Sequence, residues 1–408
     1  MENHFHLISM PRWMSVSFRI IYVMHSLISD IVGQRMIAFD NKLKLYSVPK
    51  LRMLYCCAFN IGLITLMPIS ICRIYDALLK NEQTNDILMT VMIGVMLLQT
   101  CLCIIMFLMQ IKGLKDRLRI LNESAVFIRW TRDYLYNHEI ELKQILWLIF
   151  LRVVVCEVYA GLMIIMNVLS VIEDTLNLSI EFLIISLPYI MQTVVLTDFY
   201  AVILRIFFYF RQLNRNIEIL AEKLKDSRDM TEYQWMTYCC ELSDRIDKFS
   251  IYHAILCEST KAIVRIYSIN ILCCLVTLFC GIVFQTYFTV EFFKLYLQGI
   301  VPEASESFST ILFIFSNFFE LLIQGYLTTM LDYEAKRIGR LIHKISITNT
   351  DLRLQRSVQL FSLQTAQYSA EISICGLFNL DIPFISSMTA SIVSYMIIIV
   401  QFDETSYP

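Results

Sequence analysis

Apolar residues run in long blocks separated by shorter polar stretches. Blocks at 54–75, 87–111, 144–171, 178–204, 262–293, 308–330 and 384–402 each reach the about 20 residues that carry a helix across a hydrocarbon core. Seven spanning helices are predicted. Glycine and proline number only ten and seven, so the helices are expected to be mostly continuous, with Pro68 and Pro188 as the sites of any kink. The fold class is an all-α membrane protein.

Val16–Phe39 breaks the pattern, because Arg19, His25, Asp30 and Arg35 interrupt its apolar residues. Three charged side chains in one span are expensive, so this stretch is predicted as an amphipathic helix lying at the membrane surface. The chain then divides into 1–53 with that helix, four spans over 54–204, a polar helical extension over 205–261, two spans over 262–330, a loop and anchor helix over 331–383, the last helix 384–402 and a tail at 403–408. Within 205–261, Ile217, Leu220, Leu224, Leu242, Ile246 and Phe249 recur at helical spacing among charged residues. Spans four and five are therefore expected to continue as an antiparallel pair, which either packs on its own neighbours or joins subunits.

Composition agrees with the pattern: 57% hydrophobic and 17% charged residues, with a mean hydropathy of +0.59, leave too little polar surface for a soluble globule of this length. Nucleic acid is no partner for such a chain. Net charge is near zero, but its distribution is not even. Segments 1–53, 112–143, 205–261 and 331–358 hold 29 Lys and Arg against 2 in 76–86, 172–177, 294–307 and 403–408. That bias places the amino terminus in the cytoplasm and, after seven crossings, the carboxyl terminus outside. The first 15 residues lack the apolar core of a cleavable signal peptide, so the first span is expected to serve as the targeting signal.

No catalytic or metal-binding motif stands out. The sequence has no HExxH, GxSxG, phosphate-cradling glycine loop or paired CxxC, and all six histidines fall outside the seven spans. None of the 13 cysteines lies in a short outer segment, so they read as small apolar groups rather than a disulfide framework. Asn177-Leu178-Ser179 is a glycosylation sequon close to the membrane on the outer side. No enzymatic activity and no cofactor are expected.

With outer loops this short, an external ligand has to enter the bundle. The outer halves of spans three to six offer Tyr159, Asn167, Tyr189, Gln192, Phe284, Gln285, Tyr287, Phe288, Asn317 and Phe318, aromatics with a few amides as in small-molecule pockets. Scarce acidic and amide groups favour an apolar or bitter compound over a sugar. Arg152, Glu157, Glu181, Asp198, Arg265 and Glu320 lie within spans and Arg73 at an edge. They read as structural ion pairs, too scattered for a proton relay.

The last helix has one polar face. Ser387, Ser391, Ser394, Ile398 and Gln401 are spaced four, three, four and three, which aligns them along a helix. Small-residue packing and a water-lined surface both use this spacing. Gly376-Leu377-Phe378-Asn379-Leu380-Asp381, followed by Ser394-Tyr395, five apolar residues and Gln401-Phe402, resembles the carboxyl-terminal signature of insect gustatory receptors. That family usually carries Thr-Tyr where Ser394-Tyr395 stands, and Ser-Tyr is frequent in the related insect odorant receptors. The signature covers about 30 residues; chain length, span number and orientation match over the whole chain.

The resemblance implies a gustatory receptor in the plasma membrane of a sensory neuron. It would be a nonselective channel for Na, K and Ca ions, opened by a small-molecule tastant, surrounded by lipid and built as a homo- or heterotetramer with other gustatory receptors. It further implies that the last helix lines a central pore, that cytoplasmic helices anchor the subunits and that the tastant sits in each subunit's outer half. Four copies would set Ser391, Ser394, Ile398 and Gln401 as successive rings, with Ile398 a dewetting constriction and Gln401 offering amide dipoles to a hydrated cation. Phe402 would swing into the path or anchor the outer end, and Asp403 and Glu404 would draw cations to the mouth. The alternative within the superfamily is an odorant-receptor-type subunit. A G-protein-coupled receptor is disfavoured by the inward amino terminus, by the order Arg132-Asp133-Tyr134 and by the lack of any Asn-Pro pair. A transporter is disfavoured because no repeated halves or broken midplane helices are visible.

Overall fold

The computed structural model describes residues 12–40, 43, 45–79, 86–132, 147–158, 161–162, 176–226, 231–297, 304–345 and 351–406. The helices are α1 (Arg12–Ile31), α2 (Lys50–Leu79), α3 (Asp86–Lys112), α4 (Leu114–Arg132), α5 (Leu176–Asp226), α6 (Glu232–Leu297), α7 (Ala304–Ile342), α8 (Leu352–Gln367) and α9 (Ile382–Ser406). Between α4 and α5 the stretch 147–158 is helical and passes into a π-helical turn at Val153–Val158. Two small hairpins complete the set: β1 (Ala38–Asp40) with β2 (Leu45–Ser47), and β3 (Ser373–Ile374) with β4 (Phe378–Asn379), both antiparallel.

Apolar length dictates the architecture. Lys50–Asp76, Met92–Lys112, Ile180–Leu224, Glu232–Val290 and Ile311–Ile342 are each long and apolar enough to cross a membrane, and Ile382–Ile398 is a shorter apolar stretch on α9. Six of the seven predicted blocks thus lie on helices, and Pro68 and Pro188 both sit inside them. Most of the seventh, 144–171, lies outside the described residues.

α5 and α6 have 51 and 66 residues, so at 1.5 Å per residue α6 alone is about 100 Å long, over three times the hydrocarbon thickness. The excess is the polar extension expected over 205–261. There Leu213, Ile217, Leu220 and Leu224 of α5 pack with Leu242, Ile246, Phe249 and Leu256 of α6 in one continuous core. α8 closes this core because Leu354, Val358 and Phe361, at helical spacing, are buried against it. Asp351 caps α8 by accepting the Arg353 N–H at 3.1 Å. His253 is buried among Phe210, Phe361 and Tyr368, with ring centroids 5.9, 5.9 and 6.4 Å away.

α1 corrects the expected Val16–Phe39 helix. It stops at Ile31 because Gly33 takes φ +63°, and Gln34 N–H and Gly33 N–H turn back to the carbonyls of Ser29 and Asp30, a Schellman stop. A side chain at Gly33 would meet Phe59 and Asn60 at 3.1–3.3 Å, so the turn also needs glycine for space. Beyond it the chain enters β1. Ile20, Val23, Met24, Leu27 and Ile31 lie exposed at helical spacing, and the polar side of α1 faces the bundle.

Phe210→Ala should cost about 3–5 kcal/mol, as expected for a large buried aromatic. It should lower the thermal unfolding midpoint of detergent-solubilised protein, and an unchanged midpoint would contradict this packing.

Candidate ligand pocket and pore helix

The conspicuous Gly376–Asp381 stretch builds the root of α9. Cys375 and Gly376 have φ of 53° and 70°, and Leu377 N–H donates to the Ile374 carbonyl at 3.0 Å, so β3 and β4 are joined by a turn with two left-handed centres. The Cys375 N–H donates to the Ser268 hydroxyl of α6, which ties the hairpin to the bundle. Phe378 stacks on Phe384 with centroids 4.0 Å apart. Asp381 then caps α9, its carboxylate accepting Phe384 N–H at 2.8 Å.

α9 packs on the rest of the chain through a seam of buried residues, Ile385, Met388 and Ile392. Ser387, Ser391, Ser394, Ile398 and Gln401 are all exposed, so the predicted stripe faces away from the chain's own bundle. Its hydroxyls donate inward to Pro383, Ser387 and Ala390 carbonyls at 3.0, 3.1 and 3.0 Å. Donors are thereby satisfied within the helix and oxygen lone pairs are presented outward. Phe402, Asp403 and Glu404 follow on the same helix, and their side chains lie outside the described residues.

Part of the predicted pocket converges. Tyr189 of α5 donates its hydroxyl to Asn317 Oδ1 of α7 at 2.9 Å, and its ring lies 5.1 Å from Phe313. One turn along α5, Gln192 Nε2 donates to Thr277 Oγ1 of α6 at 3.1 Å. Gln192, Tyr287 and Asn317 are buried, whereas Gln285 and Phe318 are half-buried. Phe284 and Phe288 stack along α6 with centroids 6.3 Å apart. Tyr159 and Asn167 lie outside the described residues.

Most of the ionisable residues read as scattered in the sequence find partners in the fold. Arg152, with no exposed surface, donates to Glu320 of α7 and to Thr197 of α5, and its guanidinium lies 5.2 Å from the Tyr200 ring. Gln324 donates to the Leu196 carbonyl at 3.2 Å and lies 3.4 Å from Glu320 Oε1. Glu157 and Asp198 both bond His25 of α1, at 2.8 and 3.1 Å. Arg73 pairs with Glu181, and Arg265 is exposed.

The π turn explains why spacing hid this cluster. In an α-helix, residues 152 and 157 would point about 140° apart. Bonding from i to i+5 changes the phase of residues five apart, so the turn lets Arg152 reach Glu320 while Glu157 reaches His25. His25 gave no sequence signal, because its partners are 132 and 173 residues away. Burial lowers the His25 pKa, but hydrogen bonds and charge from Asp198 and Glu157 outweigh it and raise it to about 10.

A family model described as 7tm Chemosensory receptor matches residues 14–406. Among curated relatives from Drosophila melanogaster, "Gustatory receptor for bitter taste 66a" is 25% identical over 170 residues, 40% of this chain and 31% of that protein. "Putative gustatory receptor 94a" is 22% identical over 204 residues, covering 47% and 49%, and "Gustatory receptor for bitter taste 93a" is 26% identical over 179 residues, covering 43% and 40%. The chain thus spans about a third to a half of the length of these relatives. The solved structure of the insect olfactory receptor OR5 from Machilis hrabei in complex with eugenol superposes with a TM-score of 0.64 at 15% identity, over 95% of this chain and 99% of that one. This similarity establishes the fold.

Removing one partner of a buried pair leaves an uncompensated charge. Arg152→Gln or Glu320→Gln alone is expected to cost about 3–5 kcal/mol, and the double substitution less than the sum; additive losses in thermal unfolding would contradict the pairing. A second expectation concerns pH. Because the folded His25 pKa lies above its ordinary value of 6.5, docking of α1 is strongest below that value and is lost as pH rises through about 10. Hydrogen-exchange protection of α1 should fall over that interval in the native chain and be flat in His25→Gln; equal profiles would refute the bridge.

Proposed function

The chain belongs to the 7tm chemosensory receptor family, and we propose that it is a gustatory receptor working as a ligand-gated, nonselective cation channel. Membership makes it a multi-pass membrane receptor and not an enzyme. In the proposed arrangement seven helices cross the plasma membrane of a sensory neuron, with the amino terminus inside and the carboxyl terminus outside, as the 29-to-2 split of basic residues favours. Four subunits, identical or mixed with other gustatory receptors, surround a pore lined by α9.

One observation carries this reading: α9 turns its Ser387, Ser391, Ser394, Ile398 and Gln401 face away from its own bundle. A lone chain has no use for hydroxyl oxygens and an amide on a lipid-facing helix surface. Around a shared axis the same residues form stacked polar rings with a single apolar one, Ile398, as the dewetting gate. Gln401, Asp403, Glu404 and Phe402 then stand at the outer mouth, where the carboxylates raise the local concentration of Na, K and Ca ions.

A small tastant enters between α5, α6 and α7 at Tyr189, Gln192, Tyr287 and Asn317, with Phe284, Gln285, Phe288 and Phe318 along the same helices. Tyr159 and Asn167 are further candidates. The aromatic content, and the bitter-taste names of two relatives, favour a largely apolar or bitter compound over a sugar. The fold match to an olfactory receptor and the Ser394-Tyr395 pair support an odorant-receptor-type channel as the second reading.

Expressing the chain alone and recording currents against a panel of bitter compounds and sugars tests the assignment. Ile398→Ala should raise ligand-independent current about fivefold or more, the change expected when about 1 kcal/mol is removed from the closed state. Basal and evoked currents equal to wild type would remove Ile398 as the gate.

A further inference from the structure

Asn317, Glu320, Gln324 and Thr328 succeed one another on α7 at intervals of three, four and four, which places them on one helix face. All four are buried, and each meets a different neighbour. Asn317 accepts from Tyr189 of the pocket, Glu320 pairs with Arg152, Gln324 holds the Leu196 carbonyl of α5 at 3.2 Å, and Thr328 donates to the carbonyl of Leu380 just before α9. The face therefore runs from the proposed pocket to the root of the proposed pore helix, eleven residues or about 16 Å away.

Backbones come close at its lower end. A Cβ on Gly325 would lie 2.6 Å from Ile385 Cγ1 and 3.3 Å from the Asp381 carbonyl, so α9 starts pressed against the bare backbone of α7. Thr329 accepts the Ile382 N–H at 3.1 Å while donating to the Gly325 carbonyl at 2.7 Å. A side chain at 325 forces Ile385 out of its place and crowds the Asp381 carbonyl.

Thr328 supplies two states. Its single hydroxyl proton can go to Leu380, or to the carbonyls of Gln324 and Gly325 in its own helix, each 3.0 Å away. Releasing Leu380 therefore leaves no buried donor unpaired, and the cost of the exchange falls on the Leu380 carbonyl alone. All three acceptors lie within reach of the one hydroxyl.

We propose that the Gln324–Thr329 turn of α7 is the hinge that couples the ligand pocket to α9, with Thr328 switching between the Leu380 carbonyl and its own helix and Gly325 allowing the contact. The proposal rests on the channel reading above. Gly325, Thr328 and Thr329 are positioning residues: they touch neither ligand nor permeating ion. Occupation of the pocket displaces Asn317, α7 carries the displacement as a stiff rod, and the root of α9 follows.

The test records currents from the full-length chain carrying Thr328→Val, which keeps the shape and removes the donor, Thr328→Ser, which keeps the donor, and Gly325→Ala with and without Ile385→Ala. Surface amounts are measured by biotinylation, and a fixed panel of bitter alkaloids serves as the stimulus. Thr328→Val should shift basal current or half-maximal concentration about fivefold, the factor one hydrogen bond supplies, at unchanged surface amount, while Thr328→Ser stays near wild type. Gly325→Ala should impair gating and Ile385→Ala should partly restore it. Should Gly325→Ala fail to reach the surface, the Val and Ser pair decides. Thr328→Val currents equal to wild type overturn the hinge and leave the channel reading intact. A wild-type chain at the surface that passes no current, basal or evoked, either alone or co-expressed with other gustatory receptors, overturns the channel reading and the hinge with it.

Discussion

Three elements of the bundle meet at the Arg152 guanidinium. Arginine keeps its charge in proteins, and this one has no exposed surface, so its neighbours must satisfy it or the bundle does not form. Glu320 answers with a carboxylate from α7, Thr197 with a hydroxyl from α5 and Tyr200 with a ring face. Three segments far apart in sequence are thereby locked at one depth. Glu157, five residues on, uses the same π turn to reach His25 and bring in α1. Such a cluster is weak support for stability and strong support for register: apolar side chains slide past one another at little cost, whereas a buried charge has one place to be.

The long elements were legible because hydrophobic length and helical spacing are local properties. α2, α3, α5, α6 and α7 lie where apolar blocks place them, and the α5–α6 core at Leu213–Leu224 and Leu242–Leu256 follows the spacing of Ile217, Leu220, Leu224, Leu242, Ile246 and Phe249. The root of α9 was legible for a different reason. A left-handed pair of residues, a stacking aromatic and a helix cap each demand a narrow choice of side chain, so Gly376, Phe378 and Asp381 leave a recognisable string.

What was hidden depends on contacts that periodicity does not encode. His25 sits on a helix whose apolar face points outward, so the residue that matters most to docking looked like an interruption. Ile31 ends α1 through a glycine two residues later, a stop that apolar content does not announce. Arg152 and Glu157 stood on opposite sides of an assumed α-helix until a π turn changed the phase. Of the pocket candidates, Tyr189 and Asn317 are 128 residues apart, and only the fold shows that they share a hydrogen bond.

The three sides of α9 bear on how it is used. Its buried seam of Ile385, Met388 and Ile392 and its polar stripe are separated by about 130° around the axis at 100° per residue. Between them lies a third side with Val393 and Ile397 exposed, each at 53%. A helix immersed in lipid beside one bundle needs two faces, one for protein and one for acyl chains. A helix lining a rotational axis needs three, because it meets its own subunit, the axis and the neighbouring copy. In the proposed tetramer, small hydroxyls would keep the axial face wet, and branched apolar groups on the lateral face would pack without polar satisfaction. The proposed pore helix gives each of these three sides of α9 a use, including the side chains that the chain's own fold leaves unpacked.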